Sequence, residues 1–202
     1  MTLNLIRHRR DCIVDKGLDA MPPSAVKTIR DLLYWQYSKI ISSSAGFGKK
    51  QFGFIMNRFK TLQSGEIEWS GSIQEYIHER EMPNQCIYCG AREDLSYDHL
   101  VPQSRSGPDI ADNVVMACRS INSSKGGRGL YEWLRLDKRN DVPRIAEGKY
   151  LKLLYQLHED EGTLDIGREQ LEMLCGRCEL GYLCEESNLT VYCLESILAK
   201  KQ

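Results

Sequence analysis

The chain has 202 residues, of which 42% are hydrophobic and 27% charged, and its formal net charge is −1. This length supports one good-sized domain, or a small catalytic unit with additions at both ends. The composition is that of an ordinary soluble globular protein, and the near-neutral charge excludes binding to nucleic acid through overall charge. No apolar run has the length of a membrane span. Residues 1–20 lack a signal-peptide core, so we expect a cytoplasmic protein.

The N-terminal part, residues 1–80, predicts helices. Apolar residues recur at helical spacing over 22–40, after a Pro-Pro-Ser start. The glycine-containing stretch 42–50 predicts a turn, and a second helix is predicted over 51–62. A pair of residues at capping-box spacing predicts a third helix over 72–81.

This N-terminal part is also basic. There is no acidic residue between Leu32 and Gly65, whereas this stretch contains Lys39, Lys49, Lys50, Arg58 and Lys60. An acid-free basic stretch is what a phosphate-contacting surface needs, and Lys49 and Lys50 lie in its turn. The alternative is an ordinary solvated helical face.

The centre of the chain contains three short motifs within about forty residues. They are CIYCG (86–90), SYDHLVPQS (96–104) and DNVVMACRSINSSKG (112–126). Two β-like runs, 95–99 and 114–117, flank a turn-rich segment. A helix is predicted to begin at Arg119 or Ser120.

The Asp-His pair in the second motif is, taken alone, most often a turn or a surface pair, but its residues would also serve the hydrolysis of a phosphodiester. That reaction needs an activated water, charge neutralisation on the phosphorane and help for the leaving oxygen. Histidine is the natural base for water, because imidazole titrates near neutrality. Asp98 and His99 point to opposite sides of an extended strand, so spacing alone leaves open which of them faces a metal.

Together these motifs resemble the HNH nuclease family, whose core is a ββα-metal unit; here it would span 81–136. The resemblance implies that Asp98 and Asn122 hold Mg²⁺ or Mn²⁺ and that His99 is the general base. It implies further that Asn113 fixes the loop and orients that base. Lys125 and Arg128 would then face the phosphate backbone.

Many HNH proteins also carry a structural zinc held by two C-x-x-C pairs. The first pair would be Cys86 and Cys89, and the second Cys118 and residue 121, which here is Ile121. Three thiolates leave a tetrahedral zinc site one ligand short. Candidates for a fourth ligand are Cys12, His8 and His78. The alternative is a metal-free site with Ile121 as an apolar plug.

The C-terminal part, 137–202, is acidic and predicted to be helical, with a helix that begins after Asp141 and runs to Leu157. It contains four further cysteines: Cys175, Cys178, Cys184 and Cys193. Reduced thiols in the cytosol favour a four-cysteine structural zinc. An iron–sulfur cluster uses the same ligands, and simple burial is a third option. The acidic charge indicates fold stabilisation or a protein partner rather than DNA contact.

We therefore expect an α+β, mostly helical protein with a ββα-metal core, N-terminal helices and a C-terminal cysteine-rich zinc-knuckle region. The expected function is metal-dependent cleavage of DNA, most simply double-stranded, in restriction or anti-phage defence. An ATPase or sensor subunit would be a fitting partner, and a homodimer would allow both strands to be cut. The alternative is a zinc-stabilised nucleic-acid or protein adaptor that has lost cleavage.

Overall fold

The computed structural model describes residues 22–67, 84–138, 141–184 and 188–198, except the side chains of 136 and 137. Its helices are α1 (Ile29–Ser44), α2 (Phe52–Gln63), α3 (Arg119–Lys125), α4 (Leu130–Lys138), α5 (Arg144–Asp160), α6 (Glu172–Cys175) and α7 (Val191–Leu194). Its strands are β1 (Leu95–His99) and β2 (Val114–Cys118), and 3₁₀ turns cover Gln103–Arg105, Ala111–Asn113 and Arg168–Gln170. None of the described helices has the length and apolarity needed to cross a membrane.

Helix α1 begins later than the Pro-Pro-Ser start predicted from the sequence. Its N-cap is Thr28, whose hydroxyl accepts a hydrogen bond from the Asp31 amide at 3.1 Å, while the Asp31 carboxylate accepts one from the Thr28 amide at 3.3 Å. This capping box satisfies two amides that a helix end otherwise leaves without partners. The second predicted helix is confirmed as α2, whereas the one predicted over 72–81 lies outside the described residues.

The central motifs form a ββα unit, as predicted. Strand β1 pairs antiparallel with β2, in a register that sets Leu95 opposite Cys118 and His99 opposite Val114. Helix α3 follows β2 directly and packs against both strands. An isolated two-stranded hairpin is only marginally stable, so the unit depends on the helices packed around it.

One main hydrophobic core joins the described parts of the chain. It takes buried residues from α1, α2, the β1–β2 region, α4, α5 and the C-terminal segment. Helix α5 packs against α1 and against the turn Ala111–Asn113 that leads into β2. The α+β class is confirmed, with helices predominating. The domain boundaries at 80 and 136 stay predictions.

Helix α4 was not predicted, because its N-terminus is stabilised from far along the chain. The Glu195 carboxylate accepts hydrogen bonds from the amides of Tyr131 and Glu132, both at 2.8 Å, and from the Tyr150 hydroxyl at 2.6 Å. A carboxylate at this end of a helix satisfies free amides and complements the helix dipole. No local pattern around Leu130 signals a partner more than sixty positions away.

Candidate active site

The loop between β1 and β2 is held in shape by Asn113, which is completely buried. Its side-chain oxygen accepts a bond from the Val101 amide at 2.8 Å. Its Nδ2 donates to the carbonyls of Val101 at 2.9 Å and Pro108 at 2.8 Å. Gly107 is required in the same loop, since a Cβ there would collide with the Val101 backbone. Asn113 therefore fixes both sides of the loop.

This loop brings Asp109 to His99, the last residue of β1. His99 Nε2 lies 3.1 Å from Asp109 Oδ1, and the Asp109 side chain is 81% exposed. If Nε2 donates its proton to the carboxylate, Nδ1 is the basic nitrogen; this tautomer is assigned from the hydrogen-bond partner. A carboxylate that orients an imidazole is a common feature of general-base sites.

Asp98, the other half of the pair, points into the protein and is 2% exposed. Its Oδ1 accepts a bond from Lys125 Nζ at 2.9 Å, and its Oδ2 accepts one from the Tyr88 hydroxyl at 2.9 Å. Burial lowers the pKa of Lys125, although Asp98 partly offsets this effect. Burial also raises the pKa of Tyr88 well above its ordinary range. The environment therefore favours a neutral Tyr88 that donates its proton to the carboxylate.

Lys125 also fixes the main chain of the candidate base. Its Nζ donates to the His99 carbonyl at 2.6 Å, in addition to the bond to Asp98. Lys125 is 1% exposed, so its ammonium faces the protein interior rather than solvent. One lysine from α3 thus holds both residues of the Asp-His pair on β1. The sequence predicted instead that this lysine would face the phosphate backbone.

Asn122 lies on α3 beside the same strand and is more accessible. Its Nδ2 donates to the Tyr97 carbonyl at 2.8 Å and to the Ser96 hydroxyl at 3.1 Å. Both bonds are donated by Nδ2, so neither uses the amide oxygen. That oxygen is a ligand type that hard divalent cations prefer.

The oxygen donors of this site fit a hard divalent cation in kind. Mg²⁺ usually retains several waters and takes only one or two carboxylates or amides from the protein, which Asp98 and Asn122 would supply. A carboxylate has about four lone-pair positions, and Lys125 and Tyr88 use two of those on Asp98. Asp98 is therefore already paired with one cation, the ammonium of Lys125, and about two of its lone-pair positions are left for a metal ion.

A second site is formed by Cys86, Cys89 and Cys118, whose sulfurs all lie within 4.8 Å of one another. Within the described part of the chain, this is the one group of three or more Cys, His, Asp or Glu ligand atoms that close together. A hydrogen bond from the Ser120 hydroxyl lowers the pKa of Cys118 to about 7, which favours the thiolate that binds metal. Ile121 packs against this cluster at the position where a fourth cysteine was expected.

The four C-terminal cysteines are not assembled into such a ligand set. Cys193 is buried, and desolvation raises the pKa of its thiol to about 11. Burial also raises the pKa of Cys178, whose sulfur accepts a bond from the Leu180 amide at 3.4 Å. These thiols pack into or against the main core, so in this arrangement they act as small apolar side chains. The structure does not confirm a zinc knuckle here.

Three of the predicted phosphate-binding cations have their charges partly or wholly committed. Lys49 Nζ lies 2.6 Å from Glu147 and donates to the Val142 carbonyl at 3.0 Å, within the protein. Lys125 is paired with Asp98. The Arg128 guanidinium donates to the carbonyls of Lys125 and Ser124, at the end of α3.

Residues 86–128, which contain both the His99 site and the three-cysteine cluster, match the family model of the HNH endonucleases. This segment of the chain is similar to an HNH endonuclease domain. No curated protein and no solved structure matches the chain.

Asp109 and Tyr88 are the two residues of this candidate site that the sequence alone did not predict. Asp109 lies in the turn-rich segment 102–109, where a single acidic residue is not distinctive. Tyr88 lies between the two cysteines of the first pair, where the C-x-x-C pattern itself places no requirement on the residue. One feature of the sequence could have predicted Asp109: it lies in the loop that joins β1 to β2, and His99 is the last residue of β1 before that loop. No signal for Tyr88 is visible without the fold.

Proposed function

We propose that this protein is a metal-dependent HNH endonuclease that hydrolyses phosphodiester bonds in DNA. The observation that carries the proposal is the pairing of His99 with Asp109 at the open end of β1, inside a segment that matches the HNH endonucleases. Asn122 lies beside the same strand. The exposure of Asp109 leaves this face of the unit open to a large substrate.

In the proposed mechanism the Nδ1 atom of His99 accepts a proton from the attacking water. The Asp109 carboxylate holds the ring through Nε2 and stabilises the imidazolium that forms. Lys125 keeps the His99 main chain in place, and Asn113 keeps the loop that carries Asp109 in place. Asp98 and Asn122 would hold Mg²⁺ or Mn²⁺, which when bound neutralises charge on the phosphoryl group and the leaving oxygen. Cys86, Cys89 and Cys118 would hold a structural Zn²⁺.

The substrate and setting are part of the same proposal. The acid-free stretch from Leu32 to Gly65 supports contact with the phosphates of DNA, most simply double-stranded, through its basic side chains. The acidic C-terminal part supports docking of a protein partner, such as an ATPase or sensor subunit. We place the protein in the cytoplasm, in restriction or anti-phage defence, with a homodimer as the means of cutting both strands.

The test is cleavage of supercoiled plasmid in the presence of Mg²⁺ or Mn²⁺. We expect wild-type protein to nick or linearise the plasmid, and His99→Ala to lower the rate by about 100-fold or more, since a general base contributes about 10²–10⁴-fold. Asn122→Ala is the preferred ligand variant, because Asp98→Ala would leave the Lys125 ammonium buried without its partner. Equal cutting by wild type and His99→Ala would refute the proposal.

A second candidate is an adaptor with a degenerate nuclease core. It is favoured by the ion pair between Asp98 and Lys125, which occupies the carboxylate that a catalytic metal would need. This candidate predicts binding to nucleic acid with no nicking under any divalent cation. Plasmid cleavage that depends on His99 would exclude it.

A further inference from the structure

An exposed aromatic ring projects from the loop between α1 and α2. Phe47 is 55% exposed, and its ring centroid lies 4.7 Å from that of Phe54. The Arg58 guanidinium lies over the Phe54 ring, 5.3 Å from its centroid. Phe47 is thus supported from within the protein by a stack of Phe54 and Arg58 and offers its remaining surface to solvent. A supported, exposed ring is suited to stacking with a flat ligand.

An open groove of about 460 Å³ lies beside Phe47, between this loop and the start of α5. Its volume is within the range of small-ligand sites, roughly 300–1,000 Å³. The residues lining it are Ser43, Phe47, Gly48, Lys49, Lys50, Val142 and Arg144.

The charge of this groove is positive. Lys49 is neutralised by Glu147, so the net charge comes from Lys50 and Arg144, whose Nη1 is held by the Ser44 hydroxyl at 3.0 Å. None of the described residues lining the groove is acidic. Phe47 therefore shares the groove with two cations, Lys50 and Arg144, that are not paired with Glu147, which favours a ligand that combines a flat ring with a phosphate.

Helix α5 connects this groove to the HNH domain. Arg144 begins the helix, and Lys149 on the same helix donates to the carbonyls of Ala111 and Val114 at 3.2 and 3.0 Å. Those carbonyls flank Asn113, which clamps the loop that carries Asp109. Five residues of helix cover about 8 Å along its axis. The groove and the loop that carries Asp109 are thus contacted by the same helix, α5.

We propose that this groove is a stacking platform for single-stranded nucleic acid, with a base on Phe47 and phosphates on Lys50 and Arg144. The ring can stack only on an unpaired base, because a duplex buries the base faces and would use the cations alone. The inference rests on the proposed function for its class of substrate, and it adds a second contact site that favours single-stranded segments.

The test measures, by fluorescence anisotropy, how tightly the protein binds a labelled single-stranded DNA of about 12 nucleotides. All variants carry His99→Ala as well, so that the probe stays intact. We expect Phe47→Ala to weaken binding about 5-fold or more, the usual effect of removing a stacked ring. The matched control is Phe52→Ala. Phe52 is 57% exposed but packs on Trp35 at 6.0 Å and does not line the groove.

A charge-reversal pair gives an independent measurement. Lys50→Glu should weaken binding and reduce its dependence on salt, whereas Lys27→Glu should do neither. Lys27 is an exposed lysine near the other end of α1, a helix about 24 Å long. Phe47→Trp, which keeps a stacking ring, should retain binding.

The inference is overturned if Phe47→Ala binds the strand as well as Phe52→Ala does, if the His99→Ala protein itself does not bind the strand, or if Phe47→Ala weakens binding of a duplex of the same length as much as binding of the single strand. These outcomes differ from failure of the proposed function. Binding that depends on Phe47, without plasmid cleavage by wild type, would leave the platform in place and remove the nuclease. Cleavage with no dependence of strand binding on Phe47 would do the reverse.

Discussion

Asp98 and Lys125 connect β1 to α3 through a buried ion pair that the linear sequence does not reveal. Both side chains are almost fully buried, and the carboxylate gains a second hydrogen bond from Tyr88. Burying two charges is costly, but removing one partner costs more, because it leaves the other charge without compensation. Each of the two residues therefore contributes to the stability of the fold, whether or not Asp98 also holds a metal.

We predict that Lys125→Ala lowers the free energy of unfolding by about 3–5 kcal/mol, measured by urea denaturation. The double variant Asp98→Asn with Lys125→Met should recover most of this loss, because no unpaired charge remains inside. If Lys125→Ala is as stable as wild type, the ion pair does not form in solution. The same measurement shows whether lost activity in an Asp98 variant reflects chemistry or folding.

The Cys86–Cys89 pair, the end of β2 and the start of α3 together form the three-sulfur cluster. The strand brings Cys118 to this pair, and the first turn of α3 supplies the Ser120 hydroxyl that lowers the pKa of its thiol. Zinc prefers four ligands in a tetrahedron, and Ile121 occupies the place of the fourth. The cluster thus presents three sulfur ligands, and a zinc ion bound there would take its fourth ligand from water or another donor.

We predict that wild-type protein binds about one zinc ion per chain and that Cys89→Ser loses it, measured by elemental analysis. Ile121→Cys should tighten binding by about tenfold or more in competition with a chromophoric chelator, because it completes the tetrahedron. Cys193→Ser is the control and should keep the metal, since its buried thiol is held in the neutral form. Zinc lost from Cys193→Ser and retained by Cys89→Ser would instead place the metal in the C-terminal region.

Two buried titratable groups from different parts of the chain, His158 and Glu195, lie at helix α7. His158 bonds to the Leu194 carbonyl at 3.0 Å and to the Thr163 hydroxyl at 2.7 Å, and burial lowers its pKa to about 4. Glu195 follows directly, and burial raises its pKa to about 7 although Tyr150 donates to it. The ordinary values are 6.5 and 4.5. The two shifts are therefore opposite in sign.

These shifts predict opposite contributions to stability as the pH changes. As the pH falls from 6.5 to about 4, the unfolded chain binds a proton at His158 before the folded protein does, so the free energy of unfolding decreases. As the pH falls from about 7 to 4.5, the folded protein binds a proton at Glu195 first, so the free energy of unfolding increases. Each contribution reaches about 3 kcal/mol at most, and the two largely offset each other where the ranges overlap.

We therefore predict that single substitutions uncover a pH dependence that wild type hides. Urea denaturation of Glu195→Gln should show stability lost as the pH falls from 6.5 to 4, through His158. His158→Gln should show stability lost as the pH rises from 4.5 to 7, through Glu195. Parallel pH profiles for wild type and both variants would contradict this account.

The sequence by itself determined the elements with local causes. The two short β-like runs and the turn-rich segment between them predicted β1 and β2, and the motif order predicted the HNH match over 86–128. Helical periodicity likewise predicted α2 and α5. All these patterns involve residues that are close together in the chain. The sequence also showed that residue 121 of the cysteine cluster is isoleucine.

The tertiary structure decided which of these residues meet. It brought Asp109 to His99 and Lys125 to Asp98, it paired Lys49 with Glu147, and it packed the C-terminal thiols into or against the main core. Partners of this kind are tens of positions apart or lie in irregular loops, so no local period encodes them. Whether a charge faces solvent or a counter-charge depends on burial, which arises only when the helices pack around the two strands.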